Sequence, residues 1–407
     1  MKKFNIPEFY RSPVISKIKN ARRDSDPRKK DFSPTILDFG PVKFLIARHF
    51  GFCYGVENAI EISYKAIEDN PGRRIFLLSE MIHNPEVNRD LLDRGVKFLM
   101  TTSGEQLIDW SELNSSDIVI IPAFGTTLEI QKKLNELGID PYKYNTTCPF
   151  VEKVWNRSAQ LGDSNYTVII HGKHYHEETR ATFSHSIENS RTLIVKDLKE
   201  AEKVGKYILG KISDLDFHRM FEGKYSKGFN PERDLLKIGV VNQTTMLATE
   251  TQAIADYFKN IMIQKYGISN LKDHFADTRD TLCYATYDNQ RATEELIKQH
   301  ADFAVVVGGY NSSNTSHIVE LCEEKHTTYF ISSAGNLLSA NSISHFDTHS
   351  KSEKVSYNYI PSKSPVNIIL TSGASCPDSL VDQVLHRILS FFEGVKPTEE
   401  VLNRVIN

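Results

Sequence analysis

The stretch YTVIIHGKHYHEE at residues 166–178 contains the pattern on which the fold depends. Its first five residues form a short apolar run rich in β-branched side chains, which is typical of a buried strand. A loop of glycine, lysine and histidine follows, and two glutamates then favour the first turn of a helix. The stretch therefore predicts a strand, a loop and a helix in succession. In α/β proteins such a loop at the carboxyl end of a strand is where ligands bind.

The same succession recurs along the chain from residue 42 onward. Short apolar runs lead into loops of Gly, Ser, Thr, Asn or His at residues 42–47, 74–78, 117–121, 237–241, 304–307 and 366–370. Helical spacing of apolar residues follows several of these loops, as at 56–67, 86–94 and 151–157. Strands that alternate with helices predict an α/β fold with parallel sheets, and the unbroken apolar runs indicate strands buried on both faces.

The composition excludes several classes of protein. With 40% hydrophobic and 25% charged residues, the chain has the composition of a folded globular protein. A net charge of -3 gives no general attraction to nucleic acid or acidic membranes, and no apolar run is long enough to predict a membrane span. The five scattered cysteines do not form a disulfide framework, so we expect a reducing, cytoplasmic compartment.

Three of the five cysteines come directly before a predicted helix. They are Cys53 in GFCYGV, Cys148 in TTCP and Cys283 in LCYAT. The free N–H groups and partial positive charge of a helix start favour a thiolate over a thiol. Three thiolates without a fourth suit an iron–sulfur or zinc centre that keeps one coordination position open. The alternative is that all three are buried apolar cysteines, as we expect for Cys322 and Cys376.

The cysteine spacing predicts three α/β modules with one cysteine each. The three cysteines lie 95 and 135 residues apart, and a polar stretch at 207–236 that resembles an insertion explains the longer interval. We place the modules at residues 44–147, 148–282 and 283–407. Residues 1–43 carry eleven Lys or Arg, five Asp or Glu and five Pro, and we expect them to form an irregular basic arm on the body of the protein.

Other predicted loops carry groups that can bind an anion. The motifs NSSN at 311–314 and GAS at 373–375 offer hydroxyls and helix-start N–H groups, while NQTT at 242–245 adds further hydroxyls. His83 and His176 follow other strands, and the glutamates at 177 and 178 can either relay protons or simply complement a helix dipole. No nucleotide-binding glycine motif is present.

Taken in order, these motifs resemble the 4-hydroxy-3-methylbut-2-enyl diphosphate reductase (IspH/LytB) family, whose members catalyse the last step of the methylerythritol phosphate route to isoprenoids. The matching strings span about residues 42–390 and are GFCYGV at 51–56, IHN at 82–84, TTCP at 146–149, HEET at 176–179, NQTT at 242–245, LCYAT at 282–286, NSSN at 311–314 and GAS at 373–375. They share their order and spacing with the family.

The resemblance implies a trefoil of three α/β modules around a central [4Fe-4S] cluster, one per chain. It implies that Cys53, Cys148 and Cys283 hold this cluster and that the fourth iron binds the substrate hydroxyl. The implied reaction is a reductive dehydroxylation that yields isopentenyl and dimethylallyl diphosphate, with electrons from a donor of the ferredoxin or flavodoxin type.

The resemblance also implies roles for individual residues. Glu178 matches the proton donor and Thr244 its hydroxyl partner. The diphosphate clamp corresponds to His83, His176, Thr244, Ser312, Ser313, Asn314 and Ser375. A loop that reads Ala-His-Gly in many bacterial members has Phe124 in place of the histidine, which resembles the plant and cyanobacterial branch. Phenylalanine cannot donate a hydrogen bond, so we expect Gly125 or Thr126 to compensate.

Two other functional classes stay open from the residues alone. One is a non-catalytic iron–sulfur or zinc sensor, which would need no diphosphate clamp. The other is a zinc-dependent phosphate-ester hydrolase, which predicts bound zinc and no visible chromophore. The basic arm could also help an acidic electron donor to dock.

Overall fold

The computed structural model describes residues 4–276 and 281–406. Its strands are β1 Thr35–Asp38, β2 Val42–Ile46, β3 Ile75–Leu77, β4 Lys97–Phe98, β5 Ile118–Ile120, β6 Thr167–His171, β7 Thr192–Val195, β8 Ile238–Asn242, β9 Phe275–Ala276, β10 Phe303–Val307, β11 Thr328–Ile331, β12 Ser342–Asp347, β13 Ser352–Tyr357 and β14 Val366–Ser372. Its α-helices are α1 Pro13–Ser25, α2 Tyr54–Asp69, α3 Pro85–Asp93, α4 Leu128–Glu136, α5 Pro149–Asp163, α6 Glu177–Ser186, α7 Leu198–Ile208, α8 Asp214–Met220, α9 Pro231–Asp234, α10 Ala248–Tyr266, α11 Leu271–His274, α12 Tyr284–Leu296, α13 Ser313–Glu323, α14 Asp378–Leu389 and α15 Thr398–Ile406.

The chain divides into two compact units. The first unit comprises Met1–Glu57, Ile82–Arg89 and Tyr284–Asn407, and the second comprises Asn58–Met81 and Asp90–Cys283. The predicted modules at 44–147, 148–282 and 283–407 do not coincide with these two units, and the division into three modules stays a prediction.

The first unit is built on a seven-stranded sheet in the order β1-β2-β14-β10-β11-β12-β13. Its central strands β2, β14, β10 and β11 are parallel, whereas the pairs toward the two edges are antiparallel. The register aligns Val307 with Ser372 and Leu370 with Ile46, so β2, β10 and β14 end at the same edge of the sheet. The loops that follow these three strands therefore start side by side.

The second unit contains two all-parallel sheets. One has three strands in the order β4-β3-β5, and the other has four in the order β7-β6-β8-β9. Every residue of β6 and β8 is buried, as their unbroken apolar runs predict. The register pairs His171 with Asn242, which brings the loop after β6 beside the loop after β8. The predicted α/β fold class with parallel sheets is confirmed.

The prediction of an irregular arm at residues 1–43 is wrong, because this segment contains α1 and β1. Ser12 caps the helix by accepting a 3.0 Å hydrogen bond from the Ile15 N–H, and Pro13 occupies the first helical position, where its missing N–H costs nothing. Ile15 and Ile18 lie one turn apart and are buried in the core of the first unit. Prolines and charges outside this apolar face obscured the helical pattern in the sequence.

The polar stretch at 207–236 also contributes to a core. It forms α8 and α9, and it places three fully or nearly buried rings, Phe217, Phe221 and Phe229, in the main apolar cluster of the second unit. Removal of one such ring typically costs about 3–5 kcal/mol of stability. The stretch is therefore an integral part of the second unit.

The antiparallel hairpin of β12 and β13 was not predicted. Its residues are mostly exposed or half-buried, so it lacks the apolar run that identified the other strands. None of the helices in the described residues combines the length and the apolar character needed to cross a membrane.

Candidate active site

The three predicted ligand cysteines all lie directly before a helix, as the sequence indicated. Cys148 is the N-cap of α5, and its N–H donates a 2.9 Å hydrogen bond to the Ala123 carbonyl. The Cys53 N–H donates to the Ala374 carbonyl at 3.2 Å, while the Cys53 carbonyl accepts the Glu57 N–H of α2. Cys283 precedes the first residue of α12. Each thiol thus belongs to a residue at the positive end of a helix dipole.

The other two cysteines are in a different environment. Cys322 and Cys376 are fully buried in the apolar core of the first unit, as predicted. Burial raises the pKa of the Cys322 thiol to about 12, and it raises the pKa of Cys376 as well. Since a thiolate is the form that binds metal, these two residues are poor ligands.

The donor set at the helix starts has the thiol chemistry that an iron–sulfur centre needs. Cys53 and Cys148 are partly exposed within their loops, whereas Cys283 is buried. In residues 4–276 and 281–406, no group of three or more His, Cys, Asp or Glu is arranged to hold a metal ion. The convergence of the three thiols on one cluster therefore stays a prediction.

The first unit brings together most of the predicted diphosphate clamp, and we call these residues the hydroxyl cluster: His83, Ser312, Ser313, Asn314 and Ser375. Ser312 caps α13 by accepting a 3.3 Å hydrogen bond from the Thr315 N–H. The Ser375 hydroxyl donates to the His83 carbonyl at 3.2 Å and lies 3.5 Å from the Ser312 hydroxyl. Asn314 accepts the Ala374 N–H at 2.8 Å. Three loops of one unit thus meet at the start of α13.

Two donors in the hydroxyl cluster are buried without a hydrogen-bond partner among the described residues. They are the Ser313 hydroxyl and the Asn314 side-chain amide nitrogen. Both residues are only 4% exposed. A buried donor without an acceptor is costly, so this pair indicates a place for a polar or anionic ligand at the positive start of α13.

The second unit brings together His176, Glu178 and Thr244, which we call the carboxylate cluster. His176 is the N-cap of α6, and its Nδ1 accepts the Glu178 N–H at 3.2 Å. In neutral His176 this contact places the ring proton on Nε2. Glu178 is 1% exposed, and its carboxylate accepts a short hydrogen bond from the Thr244 N–H. The adjacent strands β6 and β8 hold these two loops together.

Comparison with known proteins identifies the family. A family profile described as LytB protein matches residues 44–389 of this chain. The chain belongs to the LytB family. A relative from Thermosynechococcus vestitus, named 4-hydroxy-3-methylbut-2-enyl diphosphate reductase, is 41% identical over 352 residues, which cover 86% of this chain and 85% of the relative. A Prochlorococcus marinus relative of the same name is 39% identical over 386 residues and covers 94% of this chain and 92% of the relative.

A solved structure supports the LytB fold. The E-1-hydroxy-2-methyl-but-2-enyl-4-diphosphate reductase from Plasmodium falciparum superposes with a TM-score of 0.59 and covers 83% of this chain and 85% of its own. Because the two sequences are only 20% identical, this likeness concerns the fold alone.

The loop that has Phe124 in this LytB chain packs against the carboxylate cluster. The Phe124 ring meets the His176 ring edge-on at 5.8 Å. The Gly125 N–H donates to the Pro122 carbonyl at 2.9 Å, so this group is already used in a turn. Of the two residues expected to compensate for the missing histidine, Thr126 is thus the better candidate, and its role stays a prediction.

Three residues with long-range side-chain hydrogen bonds escaped the sequence analysis. The Gln243 side-chain oxygen accepts from the Thr179 hydroxyl at 3.0 Å and from the Lys173 N–H at 3.2 Å. The Ser79 hydroxyl donates to Glu177 at 2.5 Å, and the Thr281 hydroxyl donates to Asn242 at 2.6 Å. These contacts join residues 39 to 98 positions apart, so no local pattern identifies the pairs.

Proposed function

We propose that this chain reduces 4-hydroxy-3-methylbut-2-enyl diphosphate to isopentenyl and dimethylallyl diphosphate, the terminal step of the methylerythritol phosphate pathway. The observation that carries the proposal is the 39–41% identity to relatives that bear the name of this reductase. In the reaction the allylic C–O bond breaks, two electrons and two protons enter, and the hydroxyl oxygen leaves as water. The chain is accordingly an oxidoreductase of isoprenoid biosynthesis.

Cys53, Cys148 and Cys283 would hold one [4Fe-4S] cluster per chain. When bound, such a cluster supplies electrons and a Lewis-acidic iron for the departing oxygen. The placement of all three residues before helices, where a thiolate is favoured, supports this assignment.

The hydroxyl cluster would bind the diphosphate. Ser312, Ser313 and Asn314 open α13, where the helix dipole favours negative charge. The unused donors of Ser313 and Asn314 can each pair with a phosphate oxygen, and such charge-assisted bonds are stronger than neutral ones. Ser375 and His83 lie in contact with this start, which supports their assignment to the same clamp.

The carboxylate cluster would deliver a proton. Glu178 is buried away from bulk water, and the Thr244 N–H orients its carboxyl group. His176 caps the same helix turn and thereby fixes the backbone that carries Glu178, while its Nε2–H can donate to an anionic substrate. We assign Glu178 as the proton donor and the Thr244 hydroxyl as its partner in the relay.

The electron donor would be a small acidic protein of the ferredoxin or flavodoxin type. The exposed cations Lys17, Arg23, Arg28 and Lys30 of the N-terminal region support a contact with an acidic surface. The cytoplasmic location expected from cysteine usage stays a prediction.

An anaerobic turnover assay tests the proposed function. Protein purified without oxygen is supplied with a chemical reductant and 4-hydroxy-3-methylbut-2-enyl diphosphate, and the products are identified by mass spectrometry. We expect both five-carbon diphosphates to appear. Release of phosphate without reduction would favour the zinc hydrolase, and iron-loaded protein that consumes no substrate would favour the sensor.

A further inference from the structure

The loop at residues 47–53, which we call the Cys53 loop, joins β2 to α2 and ends at Cys53. It approaches the neighbouring backbone closely at Gly51, which has a φ of +75°. A Cβ added there would lie 2.5 Å from the Asp378 carboxylate and 2.8 Å from the Lys19 ammonium group. The loop is therefore packed tightly against residues that come from elsewhere in the first unit.

Phe52 and Tyr54, the residues on either side of Cys53 in the sequence, each contact an aromatic ring of the N-terminal segment. We define this segment as residues 4–34. The Phe4 ring meets the Tyr54 ring edge-on at 4.9 Å, and the Tyr10 ring meets the Phe52 ring edge-on at 5.7 Å. Phe4 and Tyr10 are themselves buried. The residues on both sides of the thiol are thus held by rings of the N-terminal segment.

A further contact holds the middle of the Cys53 loop. The Lys19 ammonium group lies 4.5 Å from the centre of the Phe50 ring and 2.6 Å from the Asp378 carboxylate. Asp378 is the first residue of α14. Lys19 therefore links α1, the Cys53 loop and the start of α14.

The beginning of the Cys53 loop meets the same segment. The Phe32 ring contacts the His49 ring at 5.5 Å, and the Arg48 guanidinium donates to the backbone carbonyls of Arg22 and Asp26 at 3.1 and 3.4 Å. Each residue from 48 to 52, and Tyr54, thus has a close neighbour in the N-terminal segment.

The N-terminal segment is itself anchored in the first unit. Ile15 and Ile18 are buried in its core. Lys29 forms a 3.0 Å ion pair with Asp288, and the Arg291 guanidinium lies 5.8 Å from the centre of the Phe32 ring. Asp288 and Arg291 are both on α12, the helix that begins directly after Cys283. The segment therefore contacts the helix that follows a second predicted ligand as well.

We propose that the N-terminal segment is a positioning element that fixes the Cys53 thiol for cluster binding. This inference rests on the proposed function, in which Cys53 is a ligand. A ligand held in place before binding loses less conformational freedom when the metal centre forms. The contacts of Lys19 and Lys29 also direct two cations of this basic segment toward the rest of the first unit.

Hydrogen exchange of the full-length, anaerobically purified protein tests the proposal without reference to activity. Tyr10→Ala and Lys19→Ala each remove one contact with the loop. We expect amide exchange in a peptide covering residues 48–54 to accelerate by up to about tenfold, the scale of one aromatic or cation–π contact. A peptide covering residues 145–150, around Cys148, should exchange at its original rate.

Two matched variants serve as controls. Tyr10→Phe keeps the ring and should restore the original exchange. Lys17→Ala removes an exposed cation from the same helix and should leave amide exchange at residues 48–54 unchanged. Unchanged exchange at 48–54 in both test variants would overturn the proposal, and so would an equal acceleration at 145–150, which would indicate general loosening of the fold.

The rate of iron release to a chelator gives a second readout in the same variants. We expect release to be several times faster in Tyr10→Ala than in Tyr10→Phe. If the unmodified protein contained no iron, the proposed function would fail, while the exchange comparison would still show whether the segment orders the loop.

Discussion

The hydroxyl cluster and the carboxylate cluster are built on the same architectural feature and differ in chemistry. In each, a buried parallel strand ends in a loop, and the loop opens a helix. Ser312 caps α13, and the Ser313 hydroxyl and the Asn314 amide nitrogen beside it have no hydrogen-bond partner among the described residues. His176 caps α6, and the neighbouring Glu178 is held by a backbone N–H. In the proposed function, the choice of cap and of the next two residues thus decides whether such a helix start binds an anion or delivers a proton.

The largest loss of turnover should come from the substitution of a residue outside both clusters. Cys148→Ser should abolish turnover and remove most of the iron, because a serine hydroxyl is a poor replacement for a thiolate ligand. Iron analysis and visible absorbance measure the loss. Cys322→Ala is the control: it should lower stability by about 1–2 kcal/mol and leave the iron content unchanged. Equal iron in Cys148→Ser and the unmodified protein would remove Cys148 from the ligand set.

Glu178→Gln tests the carboxylate cluster. Turnover should fall by roughly a hundredfold or more, the usual scale for a lost general acid, while iron content and KM stay close to their original values. Steady-state kinetics with a chemical reductant measures this split.

Glu177→Gln is the matched control, since Glu177 precedes Glu178 on α6 and its carboxylate is bound by Ser79. Its kcat should stay within about threefold of the original value. Near-normal turnover in Glu178→Gln would reject the proton-donor assignment.

Ser313→Ala tests the hydroxyl cluster. We expect KM to rise by about tenfold or more with kcat little changed, because one hydrogen bond to a charged group is lost and no partner among the described residues is disturbed. Ser316→Ala on the same helix is the control and should leave KM within about twofold. A fall in kcat with KM unchanged would assign Ser313 to the chemical step rather than to diphosphate binding.

Thr244→Val should have the smallest effect. The Thr244 N–H that binds Glu178 is retained, so only the hydroxyl is lost. We expect kcat to fall by about fivefold to tenfold, the scale of one neutral hydrogen bond, and Thr244→Ser should restore it. If Thr244→Ser were as slow as Thr244→Val, the hydroxyl would have no part in the relay.

The features of the fold that the sequence predicts are those with a local signal. The buried strands at 166–170 and 304–307 are unbroken apolar runs, and the start of α13 carries Ser312, a residue type that favours a helix cap. The helix α1 does begin with the helix-start pair Ser12 and Pro13, but its apolar face is narrow, and its stability depends on the burial of Ile15 and Ile18 in a core formed by distant residues. The hairpin of β12 and β13 is mostly polar and exposed.

The residues of the candidate site divide in the same way, into those with a local sequence signal and those without one. Cys148, Glu178 and Ser312 are recognisable because each belongs to a short motif at a helix start. Gln243 and Ser79 are not, because the hydrogen bonds that they form reach Thr179 and Glu177, 64 and 98 positions away. Pairings over such distances are set by the order of the strands in the sheet, which local periodicity does not specify.

In the proposed function, three cysteines at helix starts hold a redox cluster, and the metal content of anaerobically purified protein tests this directly. We predict about four iron and four acid-labile sulfide per chain, with a brown colour. The iron, the sulfide and the colour should all be lost in each of the variants Cys53→Ser, Cys148→Ser and Cys283→Ser. Colourless protein that contains zinc and no sulfide would contradict the account.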